Sequence, residues 1–142
     1  MTSERGYTLL ELTLALAIAG LAASVVIPRV TDLGASTLDA SARRLADDLT
    51  LARDRAVLRG TTDHLAIDLE AGRWGDGGAL PAGVRVRSVT ANGRSPVSAG
   101  TAVIDLAPTG TGFPARIDVA DEHGRTASVV LPAGVTRARV IR

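Results

Sequence analysis

The apolar residues of the chain follow three successive patterns. From Tyr7 to Ile27 nearly every position is apolar, and Glu11 is the single charged residue. From Leu38 to Ala56 apolar residues recur at alternating steps of four and three, and after Gly60 the spacing changes to two. An unbroken apolar run, a helical period and a strand period therefore follow one another along the chain.

The helical period predicts an amphipathic helix that ends near Gly60, a plausible stop signal. One apolar stripe contains Leu38, Ala42, Leu45, Leu49, Ala52 and Ala56, which favours packing against a sheet over a free coiled coil. Opposite charges spaced i,i+4 indicate a solvated face: Asp39/Arg43, Arg43/Asp47 and Arg44/Asp48. Ser36 with Asp39 resembles a capping box, so we expect this helix to begin after a polar joint over 30–37.

The strand period predicts six strands separated by turn signals such as Asn92-Gly93. They are His64–Leu69, Val84–Thr90, Thr101–Leu106, Ala115–Val119, Thr126–Leu131 and Val135–Ile141. The predicted fold class is α+β: a long N-terminal helix packed on a C-terminal, mostly antiparallel β-sheet domain. With two aromatic residues left for this domain, its core must consist of Val, Ile, Leu and Ala.

The first pattern has the length of a membrane helix. Its 21 residues would span about 31 Å, close to the ~30 Å hydrocarbon core of a bilayer. A secretory signal peptide cleaved after Ala19 and a plain anchor helix are two interpretations. Both leave Glu11 unexplained. An explanation is needed because an acid inside such an apolar run costs roughly 2.5 to 3.5 kcal/mol on insertion scales.

A third interpretation gives Glu11 a role. Residues 6–12, GYTLLEL, resemble the processing site of type IV pilins and type II secretion pseudopilins. The resemblance implies that a prepilin peptidase cuts between Gly6 and Tyr7 and methylates the new amine of Tyr7, where the family prefers phenylalanine. It also implies that Glu11 accepts the amine of a neighbouring subunit, which offsets part of the cost of two charges in lipid. Pro28 then marks a helix kink near the membrane exit.

Two internal segments narrow the resemblance to one subgroup of the pseudopilins. Residues 51–60, LARDRAVLRG, and 104–110, IDLAPTG, are similar to segments of the H-type minor pseudopilins, although Leu106 stands where those proteins have an aromatic residue. The resemblance implies a leader at 1–6, a transmembrane and assembly helix at 7–29, an amphipathic helix at 30–60 and a periplasmic β domain at 61–142.

Resemblance to this group implies a structural role. Such a subunit lies near the tip of the periplasmic pseudopilus of a type II secretion system, which helps to export folded proteins across the outer membrane. Its N-terminus is cytoplasmic, a single helix crosses the inner membrane, and its partners are the prepilin peptidase and the other major and minor pseudopilins. The resemblance implies no catalytic activity and no cofactor.

The composition agrees with a subunit whose work is packing. The 142 residues suit one modest domain, and the chain has no cysteine and two histidines, His64 and His123. Thiolate chemistry is excluded and a histidine-based metal site is disfavoured, so we expect no metal.

The arginines leave one alternative open. All 16 basic residues are arginine, and Arg137, Arg139 and Arg142 end the chain. Related minor type IV pilins bind DNA during uptake through carboxy-terminal arginines, so a pilus or DNA-uptake subunit is the alternative function. A net charge of about +2 over residues 28–142 and the scarcity of aromatic residues argue against a nucleic-acid partner.

Overall fold

The structure is a computed structural model that describes residues 9–109, 112, 114–134 and 137–141, with side chains at these positions except 22–36. Its described elements are, in order, α1 (Leu9–Arg59), β1 (Asp63–Asp68), β2 (Arg73–Trp74), β3 (Gly78–Ala79), β4 (Val84–Thr90), β5 (Thr101–Leu106), β6 (Ala115–Asp121), β7 (Thr126–Leu131) and β8 (Arg139–Ile141). The chain divides into two compact units, Met1–Gly34 and Ala35–Arg142. The α+β fold class is confirmed.

Helix α1 continues through Pro28 and through 30–37, so the predicted polar joint with a new helix start at Ser36 is wrong. A proline inside a helix removes one hydrogen bond and can bend the helix without ending it. Gly34 costs about 1 kcal/mol relative to alanine, which a helix can also tolerate. The kink at Pro28 stays a prediction.

The end of α1 is the one predicted from Gly60. This residue has a φ of 64°, a left-handed conformation that glycine adopts without a Cβ clash. The Gly60 amide donates to the Val57 carbonyl at 3.2 Å, and the Thr61 amide donates to the Ala56 carbonyl at 3.3 Å. These two bonds form a Schellman motif, which satisfies carbonyls that the last helical turn leaves open.

The strands form two antiparallel four-stranded sheets rather than one. Sheet A has the order β3-β2-β1-β5 and sheet B the order β4-β6-β7-β8. The bounds of β4, β5 and β7 are those predicted. The strands β2 and β3 were missed because two residues are too few to show a period of two. Strand β8 begins at Arg139, later than predicted, and residues 135 and 136 lie outside the described part of the chain.

The apolar stripe of α1 and the inner faces of both sheets share one core. All six predicted stripe residues are at most 5% exposed, so this prediction is confirmed. Among the largest fully buried side chains are Leu45, Leu49, Ile67, Ile104 and Ile117. The core is thus aliphatic, as the composition predicts, with Trp74 as its one described aromatic side chain.

Candidate functional site

The processing motif is only partly within the described residues. Gly6 and Tyr7, the predicted cleavage and methylation positions, lie outside them. Glu11 lies in the first described turn of α1 and is exposed. Its predicted pairing with a subunit amine stays a prediction.

The segment 9–21 of α1 exposes its apolar side chains on all sides. Seven large ones are 57% to 82% exposed: Leu9, Leu10, Leu12, Leu14, Leu16, Ile18 and Leu21. A helix that is apolar all round needs an apolar environment, because water around such side chains is unfavourable. No helical stretch within the fully described residues is long and apolar enough to span a membrane.

A hydrogen bond joins α1 to sheet A. The Trp74 Nε1–H donates to Asp48 Oδ2 at 2.9 Å, and Trp74 is 3% exposed. The ring lies against Gly78 of β3, where a Cβ would approach Trp74 Nε1 to 2.1 Å. Asp48 was predicted to pair with Arg44 on a solvated face, and this is corrected: its carboxylate satisfies a buried indole instead.

A polar cleft of about 350 Å³ lies beside this contact. Its wall includes the cations Arg44 and Arg55 and the acids Asp63 and Asp76. Asp48 also lines the cleft, so three acids stand against two arginines, and the cleft does not favour a strongly charged ligand of either sign.

The two histidines do not form a pair. His64 Nδ1 lies 2.8 Å from Asp105 Oδ1 across β1 and β5, and both side chains are exposed. His123 lies in the turn after β6, where its backbone amide donates to Asp121 Oδ1 at 2.9 Å. Throughout the described ranges, no three His, Asp or Glu side chains are grouped as a metal site requires.

Asp118 is the centre of a network on the outer face of sheet B. It accepts hydrogen bonds from Ser128 Oγ at 2.6 Å, Arg116 Nε at 2.9 Å and Ser88 Oγ at 3.1 Å. Burial acts to raise the pKa of Asp118, but the hydrogen bonds and the Arg116 charge outweigh it and lower the pKa below its ordinary value. Because its oxygens are occupied, Asp118 links β4, β6 and β7 structurally.

The two described carboxy-terminal arginines, Arg137 and Arg139, do not lie in the same strand. Arg139 is exposed in β8, opposite Val130 of β7. Arg137 precedes that strand and lines a surface hollow of about 340 Å³ together with Asp47 and Asp54 of α1. Arg142 lies outside the described residues. Arg137 and Arg139 thus differ in surroundings, and the acids beside Arg137 weaken a phosphate-binding surface.

The sequence analysis did not predict the structural roles of Arg53 and Asn92. Arg53 is 4% exposed. Its position in the helical period, four residues after Leu49, already places it on the buried side of α1. Asn92 caps the free edge of β5: its Nδ2 donates to the Val103 carbonyl at 3.0 Å, and its Oδ1 accepts from the Asp105 amide at 3.0 Å. Periodicity could have indicated Arg53, whereas no local signal indicates the partner of Asn92.

The fold and surface described here define a pilin-like subunit, in which an N-terminal helix carries an apolar exposed segment and packs its later part on antiparallel sheets. A protein-family model, type II transport protein GspH, matches residues 41–134, and the chain belongs to that family. At the level of the family, the protein is a pseudopilin of type II secretion, a structural component that associates with other pseudopilins. Neither a curated protein nor a solved structure matches the chain.

Proposed function

We propose that this protein is a minor pseudopilin that lies near the tip of the periplasmic pseudopilus, where it joins the tip to the shaft and helps folded proteins cross the outer membrane. The observation that carries the proposal is the exposed apolar segment 9–21 on a chain of the GspH family. Inside a filament, the helices of neighbouring subunits would cover these exposed apolar side chains.

The membrane placement is supported by the apolar run from Tyr7 to Ile27. Before assembly, this run anchors the chain in the inner membrane, with its N-terminus in the cytoplasm and the unit 35–142 in the periplasm. Arg5 precedes the run and Arg29 follows it, so the basic residues bias the orientation only weakly. The processing motif supplies the stronger reason, because the peptidase of this system acts on the cytoplasmic side.

Processing creates a positive charge that can pair with Glu11 of a neighbouring subunit. Removal of Met1–Gly6 by the prepilin peptidase leaves a methylated amine on Tyr7, which is cationic. A carboxylate in an apolar environment is costly unless it is paired, and Glu11 of one subunit can be neutralised by the amine of the next. This pairing sets the stagger between subunits.

Mass spectrometry of the mature N-terminus tests the processing step. A chain that begins at methyl-Tyr7 is the expected result. A chain that begins at Gly20 would show signal-peptide cleavage instead and would overturn the proposal.

Substitution of Glu11 tests the assembly step. We expect Glu11→Ala to be cleaved normally but to be lost from filaments, because the incoming amine would meet no acceptor. Glu70→Ala, at an exposed acid of the β domain, is the matched control and should be incorporated as the wild type is. If Glu11→Ala were incorporated equally well, the assigned role of Glu11 would be wrong.

A further inference from the structure

The outer face of sheet B, which points away from the shared core, carries an excess of arginines. In β4 the buried Val86 stands between two exposed arginines, and in β6 the exposed arginine stands between two buried residues. We define the basic face by the four exposed arginines of these strands and of β8: Arg85, Arg87, Arg116 and Arg139.

Two carboxylates lie on or beside the basic face. Asp118 lies 2.9 Å from Arg116 Nε, so it is already paired within the chain. Glu122 lies in the turn after β6, where a Cβ added to Gly83 would lie 3.6 Å from its carboxyl carbon. Four guanidinium groups and two carboxylates leave a net charge of about +2 on this face, whereas the whole chain has a net charge of +1. The cations of the near-neutral chain are therefore concentrated here.

Three of the four arginines have no ion-pair partner within the described part of the chain. The ion pairs within 4 Å there are His64–Asp105, Arg116–Asp118 and Arg125–Asp121. Arg85, Arg87 and Arg139 thus present their N–H groups to solvent, where a carboxylate from another chain can accept them in charge-assisted hydrogen bonds.

The register of sheet B places two of these arginines on one rung. Val130 of β7 is paired with Arg116 on one side and with Arg139 on the other, so the two arginine Cα atoms are about 10 Å apart. Arginine side chains are long enough to converge on one carboxylate above Val130. Arg116 is already held by hydrogen bonds from Nε to Asp118 and from Nη2 to Ser128, each at 2.9 Å, so it loses little conformational entropy when it binds a ligand.

We propose that the basic face binds an acidic surface of a different pseudopilin, with one partner carboxylate between Arg116 and Arg139. Charge complementarity selects an acidic partner and fixes its register. Val130 is half-buried and Ile141 is 43% exposed in the same area, which supplies the apolar part of a protein interface. The inference rests on the proposed function, since a minor subunit is surrounded by subunits of other kinds.

The same face suits a nucleic acid less well. Its described residues include no aromatic side chain on which bases could stack. A continuous phosphate chain across the face would also meet the carboxylates of Asp118 and Glu122, which repel it. A protein surface presents separate carboxylates and can place them beside the arginines alone.

The proposed contact is small. Four strands about 4.8 Å apart give a face less than about 20 Å wide, which is smaller than the ~800 Å² that each partner buries in a stable interface. The basic face therefore adds to the contacts of the N-terminal helices in the filament, and its charges determine which subunit is the neighbour.

Pairwise binding tests the proposal. The full-length chain in detergent micelles is titrated separately with each of the other pseudopilins of its own system, at low and at high salt. We expect one of them to bind, with an affinity that falls as the salt concentration rises, because exposed charges are screened. Arg85→Glu with Arg139→Glu should lower this affinity about tenfold, whereas Arg85→Lys with Arg139→Lys keeps the charge and should lose less. Arg116 is left unchanged because it holds Asp118.

Arg55→Glu with Arg73→Glu is the matched control. Both arginines are exposed, and they lie in the cleft beside Asp63 and in β2 of sheet A. The control changes the net charge by the same amount and leaves the basic face intact, so the affinity should be unchanged. Far-ultraviolet circular dichroism shows whether each variant is folded.

Two results would overturn the inference: pseudopilin binding that ignores the reversal of Arg85 and Arg139, or an equal loss in the control. A duplex DNA fragment and vesicles of anionic phospholipid are titrated in the same way, and binding of either through this face in place of a pseudopilin would also overturn it. A chain that is processed at Tyr7 and incorporated into filaments, but whose binding ignores the reversal, counts against this surface alone. A chain processed elsewhere counts against the proposed function.

Discussion

Removal of the Asp48 carboxylate should measure how strongly α1 holds sheet A. In Asp48→Ala the indole N–H of Trp74 loses its acceptor, while the ring stays 3% exposed. A buried donor without a partner costs about 1–3 kcal/mol. Alanine is the better helix former, but this gain is at most about 0.7 kcal/mol. The lost hydrogen bond should therefore dominate, with a net destabilisation of about 1–2 kcal/mol.

Trp74 is the only tryptophan, so its fluorescence reports on this site directly. Denaturant unfolding of the full-length chain in detergent micelles, followed by Trp74 emission, would give the free energy of unfolding. Asp54→Ala is the matched control, since it makes the same change at an exposed position of the same helix. Asp48→Asn keeps an acceptor oxygen and should fall between the wild type and Asp48→Ala.

The comparison with the control decides the outcome. We expect Asp48→Ala to be less stable than Asp54→Ala and to shift the folded-state emission of Trp74. If the two variants unfolded at the same denaturant concentration with unchanged emission, the hydrogen bond would contribute nothing measurable and the reasoning would be refuted.

Four further substitutions test other parts of the fold by the same unfolding measurement. Gly78→Ala should destabilise the protein and shift the Trp74 emission, because the new Cβ would overlap the indole ring; an unchanged spectrum would contradict this close contact. Leu45→Ala, at a fully buried position, should cost about 2–5 kcal/mol, whereas Leu51→Ala should cost far less in the monomer. The pKa of Asp118 lies below its ordinary value of 3.8, so its stabilisation is present above that value and is lost as the pH falls through the lowered pKa; Asp118→Asn should remove this part of the acid dependence.

The features of the fold that depend on local periodicity could be predicted from the sequence. The stripe from Leu38 to Ala56, the stop at Gly60 and the strand at 84–90 each carry their signal within a few neighbouring residues. The joint over 30–37 was predicted wrongly because Pro28 and Gly34 are read locally as breaks, whereas helix propagation is cooperative and can continue through isolated poor helix formers. The division into two sheets has no local signal, since it depends on which strands pair.

Three of the five aspartates of α1 show which roles the sequence does not predict. Asp47, Asp48 and Asp54 are chemically identical and share one helix, and pairing rules within a helix treat them alike. Asp48 alone accepts a hydrogen bond from Trp74, which lies 26 residues later in the sequence. Asp47 and Asp54 remain exposed in the surface hollow beside Leu51. The role of each carboxylate is therefore decided by what packs against the helix from elsewhere in the chain.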